Sequence, residues 1–570
     1  MENREIAKIL YEIADFLEIK GVAFKPRAYR KAAQAIETLP EEVEAIYRRG
    51  ELQKIPGIGA SIAAKIKELI ETGSLEYVEE LREELPEGLR ELMEIEGIGP
   101  KTALKLYEKL KISSVNELES AVREGKLSDL EGFGKKKEEN ILRGIEVYRN
   151  AQKRFLLGYL LPVAKGIEEK MKTLEAVKRI SLVGSIRRWK ETIGDVDILA
   201  ISDEPSEVMD LFTQLPEIKQ VLTKGETKSN IVLNSNLEVD LRVVGEESFG
   251  AALQYFTGSK EHNIKLRDLA ISKNWKLNEY GLFDRETNEK IAGETEEGIY
   301  KALGLSYIEP ELREDRGEIR AAAEGKLPNL IGYGEIKGDL HAHSNWSEGA
   351  NSIGEMAEAA KSLGYEYIAI CDHSKTLQIA HGMSEEDFRE RDKDIEKVNR
   401  GVEGIAILSG VEVNIDSDGK LDLGDDLLED LDVVVASVHS GFKQSEEKIT
   451  DRVLSAMHND YVDIIGHPTG RIINKREPYQ IDLPKVFEAA SELGVFMEIN
   501  AFPDRLDLSD SNLFEARDYG VKFSINSDAH SMHHLRYMEF GVATARRGWL
   551  EKKDVINTLS LKELRKLIES

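Results

Sequence analysis

Two sets of residues in this sequence have the types and spacings that metal chemistry requires. In the first, Gly194-Asp195-Val196-Asp197 leads into the apolar run Ile198-Leu199-Ala200. Alternate residues of a strand face the same side, so Asp195 and Asp197 point together. Their mutual repulsion suits a hard divalent cation, Mg²⁺ or Mn²⁺, shared with substrate phosphates. A third carboxylate, Asp240 in Leu237-Glu-Val-Asp-Leu-Arg-Val-Val244, lies on another apolar run and would complete a two-metal site acting on an attacking hydroxyl. Upstream, Gly184, Ser185 and Arg188 offer a backbone N–H, a hydroxyl and a guanidinium to a triphosphate. The second set is histidine-rich. Ten of the eleven histidines lie between His341 and His534. Asp339-Leu-His341-Ala-His343 opens that region and Glu348 follows. Apolar runs then end in turn near His373, Glu412, His439, His467, Glu498, and the pair Asp528 and His530. Imidazole with carboxylate suits Zn, Mn or Fe, two or three ions of which would generate hydroxide at neutral pH and clamp a phosphate.

The elements that must position these residues follow from the same pattern. Around the first set the order is strand, Gly-Ser turn, basic helix start, strand. In the histidine region the opening strand and six later apolar runs, with helical stretches such as IGEMAEAAKSL between several of them, predict a seven-stranded βα barrel. Sites of such barrels lie at the C-terminal strand ends, where donors far apart in sequence converge. Before both sets, Gly-x-Gly recurs three times, at Gly57 and Gly59, Gly97 and Gly99, and Gly132 and Gly134. Each copy has an aliphatic residue two positions ahead and a helical run behind. Such turns leave N–H groups free at a helix start, where a DNA phosphate can sit.

With 570 residues the chain calls for several domains. The formal charge of −28 seems to exclude nucleic acid, yet residues 341–570 alone hold 43 acidic against 26 basic side chains. Lys20 to Lys31 holds five basic residues and no acid, and Lys153 to Lys190 ten against three. The phosphate-binding surface is therefore local, and DNA affinity is expected to be modest and salt-sensitive. One cysteine, Cys371, and the absence of a signal-like or long apolar segment lead to the expectation of a cytoplasmic protein without membrane contact.

Residues Ala28-Tyr-Arg-Lys-Ala-Ala33, the three hairpins, the Gly-Ser-x-Arg-Arg and Gly-Asp-x-Asp pair, and Tyr255-Phe-Thr-Gly-Ser-Lys-Glu-His-Asn263 together resemble the family X DNA polymerases, the family of DNA polymerase beta. The histidine region is similar to the PHP (polymerase and histidinol phosphatase) superfamily. The resemblance implies a multidomain chain. Residues 1–150 would be an all-α helix-hairpin-helix, lyase-like DNA-binding region, and 151–315 an α+β nucleotidyltransferase palm with thumb. Residues 316–337 would be a linker, and 338–570 the PHP barrel. It implies Tyr255, Phe256, Gly258, Gly194 and Asn263 around the nucleotide, Arg242 near the primer and Arg267 near the template. It makes Lys65 the Schiff-base residue of a lyase, although the family's neighbouring Lys and His are Ser61 and Phe24 here. It assigns His341, His343, Glu348, His373, Glu412, His439, His467, Asp528 and His530 to the PHP metals, with Glu348 where Asp is usual. Glu498 stays outside that set, His381 is a candidate outer group, and His458, His533 and His534 are structural or exposed. Arg505 is a candidate phosphate contact, and Na⁺ or K⁺ at the hairpins is a further expectation. The implied activity is dNTP addition at a primer 3′-OH in short gaps. A 3′–5′ exonuclease or phosphoesterase, extending to abasic-site cleavage, would act in the barrel, and the enzyme would be monomeric. A DNA-end scaffold with weak polymerase activity and a barrel acting as a small-molecule phosphatase are the alternatives.

Overall fold

The computed structural model describes residues 3–568, apart from 21, 23, 38, 40–42, 56, 74, 79–80, 82–87, 94, 96–97, 128–129, 131–132, 152–153 and 378–379. Gly97 and Gly132 therefore lie outside the described residues.

The first 150 residues are helical and hold two separate cores, one running from Ile6 to Leu81 and one from Leu89 to Tyr148. Helix α1 (Asn3–Ile19) turns Ile6, Leu10, Ile13 and Leu17 inward, at helical spacing, against α2 (Lys25–Glu37). The three Gly loops close identically. The residue between the glycines donates its N–H to the carbonyl three positions back: Ile58 to Ile55 at 3.1 Å, Ile98 to Ile95 at 3.0 Å and Phe133 to Leu130 at 3.0 Å. Helices α3 (Ala60–Thr72), α4 (Pro100–Leu110) and α5 (Lys135–Ala151) begin directly after Gly59, Gly99 and Gly134.

The next unit is a five-stranded sheet of β1 (Arg179–Val183), β2 (Asp195–Ile201), β3 (Ile218–Lys224), β4 (Lys228–Leu233) and β5 (Glu238–Val244), in the order β1-β2-β5-β4-β3. Only β2 and β5 run parallel. Side-chain parity sorts its two faces. Ile198, Ala200, Val239, Leu241 and Val243 point into a core shared with α6 (Leu157–Lys172). Leu199 and Ile201 point the other way, onto α7 (Phe249–Thr257). Asp195, Asp197, Asp240 and Arg242 share the parity of this second face. A smaller antiparallel sheet of Trp275–Asn278, Gly281–Asp284 and Lys290–Ala292 follows.

Residues 316–337 do not form a free tether. Helix α8 (Glu318–Glu324) sets Glu318 against the buried His262 at 2.6 Å, Ile331 N donates to the Leu550 carbonyl at 3.1 Å, and Ile331 and Ile336 enter the barrel core. The polar, Gly-containing stretch looks like a linker by composition. Its few apolar residues are the ones that dock.

The barrel strands are β6 (Gly338–Ala342), β7 (Tyr367–Ile370), β8 (Ala406–Asn414), β9 (Val433–Ser437), β10 (Ile464–Ile465), β11 (Phe496–Asn500) and β12 (Phe523–Asn526). All are parallel and neighbour one another in chain order, and a bridge between Ala342 and Ala529 brings the first strand to the last. The seven strands thus form a nearly closed barrel, as the sequence predicts.

Candidate metal centres and nucleotide pocket

In the five-stranded sheet the parallel register pairs Asp195 with Glu238 and Asp197 with Asp240. Neighbouring strands lie about 4.8 Å apart, so three carboxylates meet on one face. Burial, then the charges of Asp195 and Asp240, push Asp197 up from 3.8 to about 6. Lys228 Nζ stands 3.4 Å from Asp240 Oδ2, while Asp240 Oδ1 is buried without a hydrogen bond. An acid cluster with one orphaned oxygen fits a divalent cation. Above it, Gly184 has a left-handed φ of 73°, and a Cβ there would come 2.8 Å from the Asp197 carboxylate. Only glycine lets the turn pass so close. The turn starts α9 (Gly184–Arg187), and its two arginines part company. Arg187 forks onto Glu296 at 2.6 and 2.9 Å, and Glu296 also holds the buried Arg313 at 2.6 Å. Arg188 donates from Nε to Glu314 Oε1 at 3.0 Å and from Nη1 to the Thr257 carbonyl, with Nη1 3.0 Å from where a Gly258 Cβ would be. Gly184, Ser185, Arg188 and Gly258 thus stand around one opening. Arg242 stacks 4.6 Å over the Phe256 ring, and Tyr255 meets Phe256 edge-on at 5.2 Å. Asn263 is engaged, accepting from Gln254 at 2.6 Å and donating to the Tyr255 carbonyl at 2.7 Å. Arg267 is half-buried on the same helix, Lys260–Ser272.

At the barrel mouth the donors converge as expected. His343, His373 and His530 bring ligand atoms within 4.8 Å of one another, as do His341, His343 and Asp528, and His373, Glu412 and His439. Glu412 is the hub. Its Oε1 lies 2.9 Å from His467 Nε2 and 3.1 Å from His439 Nε2, and its Oε2 lies 2.9 Å from His373 Nδ1 and 3.4 Å from His341 Nε2. Glu348, placed where the family has Asp, reaches 3.0 Å from His373 and 2.7 Å from His530. His467 and Asp528 hold left-handed backbone, φ 27° and 52°, a strain that gathers at functional sites. Burial works against charging His373, but Glu412 and Glu348 raise it to about 10. Burial and the neighbouring His530 and His373 push His343 down to about 4, which favours a neutral imidazole. His341 Nε2 is buried without a hydrogen bond. So many imidazoles around shared carboxylates fit two or three cations. Arg505 stands at the rim, Nε 3.7 Å from Asp528 Oδ2.

Several residues here carry no motif. Glu498, fully buried, holds His341 Nδ1 at 2.7 Å, accepts from His467 N at 2.5 Å and from Asn526 at 2.9 Å. It orients two ligands from behind. Its position at a strand end is visible in the sequence, and its role is not. His534 is half-buried and stacked on Tyr537 at 5.1 Å, burial holding it down near about 3. His533 and His381 are exposed, and among the described residues His381 makes no hydrogen bond to the ligand set. The hairpin lysine Lys65 is half-buried with Nζ 4.5 Å over the Tyr77 ring, while Ser61 and Phe24 are exposed. Among the described residues no helix is long and apolar enough to cross a membrane.

Comparison with known proteins matches four stretches of the chain. Residues 1–75 match a helix-hairpin-helix domain, 89–146 a SAM-like helix-hairpin-helix tandem, 252–314 the DNA polymerase beta thumb and 339–502 the PHP domain. The chain is 41% identical to the DNA polymerase/3′-5′ exonuclease PolX of Bacillus subtilis (strain 168) over 567 residues, 99% of each chain. A probable phosphatase of Thermoanaerobacter sp. (strain X514) is 35% identical over 231 residues, 39% of this chain and 89% of that one. DNA polymerase lambda of Arabidopsis thaliana is 26% identical over 348 residues, 55% of this chain and 62% of that one.

Proposed function

Because the chain belongs to the family X DNA polymerases that carry a C-terminal PHP domain, we propose that its two carboxylate-bearing sites divide synthesis from excision on one DNA end. The protein is a DNA-directed DNA polymerase with 3′–5′ exonuclease activity, acting on DNA and dNTPs. Short gaps are its proposed substrate. Residues 1–150 grip the DNA through Gly57, Gly59, Gly99 and Gly134, with Gly97 and Gly132 completing the hairpins. Residues 151–315 form palm and thumb, and 338–570 the PHP barrel.

The observation that carries the synthetic half is the in-register placement of Asp197 and Asp240 beside Asp195, under the Gly184 turn. These three carboxylates would hold Mg²⁺ or Mn²⁺, which neutralises triphosphate charge and acidifies the primer 3′-OH. Asp240 is the carboxylate that acts on that hydroxyl. Gly184, Ser185 and Arg188 bind the phosphates, and Gly194 keeps the entry to Asp195 clear. Tyr255 and Phe256 crowd the sugar, Gly258 and Asn263 line the base, Arg242 faces the primer and Arg267 the template. In the barrel His341, His343, Glu348, His373, Glu412, His439, His467, Asp528 and His530 would hold two or three Zn, Mn or Fe ions, which supply hydroxide. Arg505 orients the scissile phosphate, and abasic sites are a second proposed substrate of the same centre. Lys65, with Nζ 4.5 Å over the Tyr77 ring, is the proposed Schiff-base amine of a lyase.

One assay tests both halves: gapped duplex with a labelled primer, with and without dNTPs. Asp240→Ala should lose extension by more than about a hundredfold, the upper cost of losing only an outer partner of a metal, and keep excision. His341→Ala should do the reverse. Extension surviving in the first variant, or excision in the second, refutes the corresponding assignment.

A further inference from the structure

The turn that carries Arg188 is fastened to the barrel as well as to its own sheet. Helix α9 ends at Arg187, and the next two residues leave the helix, Trp189 with a left-handed φ of 53°. The last carbonyls of a helix lack partners within it, and a basic side chain from elsewhere can satisfy them. Here that side chain is Arg547, at the end of α10 (Met538–Arg547), a barrel helix. Arg547 Nη1 donates to the Arg188 carbonyl at 2.6 Å and to Glu314 Oε1 at 3.0 Å, and its Nη2 donates to Asp510 Oδ2 at 2.6 Å. Glu314 Oε1 is the same oxygen that receives Arg188 Nε. Seven residues earlier on α10, Phe540 lies 5.9 Å from the Trp189 ring, which also meets Tyr333 at 5.5 Å. Positions seven apart share a helix face, so one face of α10 holds both residues of the turn. The Arg547 side chain is 3% exposed.

The consequence is electrostatic as well as steric. Arg188, Arg547 and Lys190 lie at 3.0, 3.0 and 4.0 Å from the one carboxylate of Glu314. With Arg547 present, Glu314 is shared, and Arg188 keeps positive charge to offer an anion. Without it, Glu314 would be left to Arg188 and the more distant Lys190, and the turn would lose its capped end.

We propose that Arg547, contributed by the barrel, is a positioning residue of the nucleotide pocket: it fixes the Arg188 backbone and shares Glu314, so that Arg188 meets the triphosphate. This rests on the reading of Arg188 as a phosphate-binding residue. The test is single-nucleotide gap filling by the full chain, with KM for dNTP and kcat measured separately and excision followed on the same DNA. Wild type and Arg188→Met are compared first: a KM for dNTP left unchanged in Arg188→Met refutes the phosphate-binding reading on its own, independently of Arg547. Arg547→Met should raise KM for dNTP by about tenfold, the scale of one lost charged hydrogen bond, with kcat changed much less and excision retained. Should that variant not fold, Arg547→Lys carries the test. It keeps the charge and stem but cannot reach three acceptors at once, and should raise KM at least about threefold, a partial loss of the same bonds. A KM within twofold of wild type in a folded Arg547→Met, or an unchanged KM in Arg547→Lys, overturns the proposal. So does a fall in kcat and excision together, which marks a structural role only.

Discussion

At the scale of single residues, the barrel mouth separates the side chains proposed to hold a metal from the side chain that stands behind them. Glu412 on β8 and Glu498 on β11 are both buried glutamates of the barrel, with β9 and β10 between them. Glu412 faces four imidazoles at the mouth, whereas Glu498 stands behind His341 and receives its Nδ1 side. Removing such an outer partner typically costs 10–100-fold in metal affinity. Glu498→Gln, equal in size, should therefore need about 10–100-fold more metal for half-maximal excision, with extension unchanged, as a metal titration of both activities would show. The candidate donors could be picked out in the sequence, because most of them follow an apolar run. Spacing could not rank them, because orientation behind a ligand depends on strand neighbours 31 to 157 residues away.

At the scale of elements, the Gly184 turn shows how a local backbone choice sets a site. Gly184→Ala would place a methyl 2.8 Å from the Asp197 carboxylate in a left-handed backbone. A strained residue of this kind costs about 1–3 kcal/mol, which the rest of the molecule tolerates. We expect a folded variant with normal excision and a kcat for extension at least about tenfold lower, since displaced metal-holding carboxylates are costly to catalysis. Pre-steady-state extension would measure it. Strand, turn and second strand were all readable here, since the alternation of Asp195, Asp197 and the apolar residues between them is unambiguous. Residues 316–337 were not. Composition alone marks them as a tether, and only the fold reveals that Ile331, Ile336 and Glu318 have partners far away in sequence. The same holds for Arg547 and Phe540, ordinary residues of an amphipathic helix until Arg188 and Trp189 are placed against them.

At the scale of the whole molecule, the polymerase half and the barrel share one core and one charged seam. Ile473, Leu506 and Phe540 of the barrel enter the core of the five-stranded sheet, and Gly158 admits Pro503 where a Cβ would lie 2.4 Å away. Across the seam, burial alone would raise Asp510, yet Arg547 and Arg316 pull it down to about 2, and within the polymerase half Arg313 and Arg187 hold Glu296 at about 2 in the same way. Carboxyls depressed in the folded state contribute stability above their unfolded values, 3.8 and 4.5, that is lost as pH falls through the folded ones. Each is worth about 2–3 kcal/mol. Calorimetry from pH 5 down to 2 should show the shared unit losing stability between about 4 and 2, and Asp510→Asn should flatten part of that loss. If its melting temperature holds constant over that interval, the seam contributes nothing. The packed residues 316–337 then carry a kinematic meaning. With that stretch packed rather than slack, the interval between copying and erasing is set by the fold, and the nucleic acid would have to cross it.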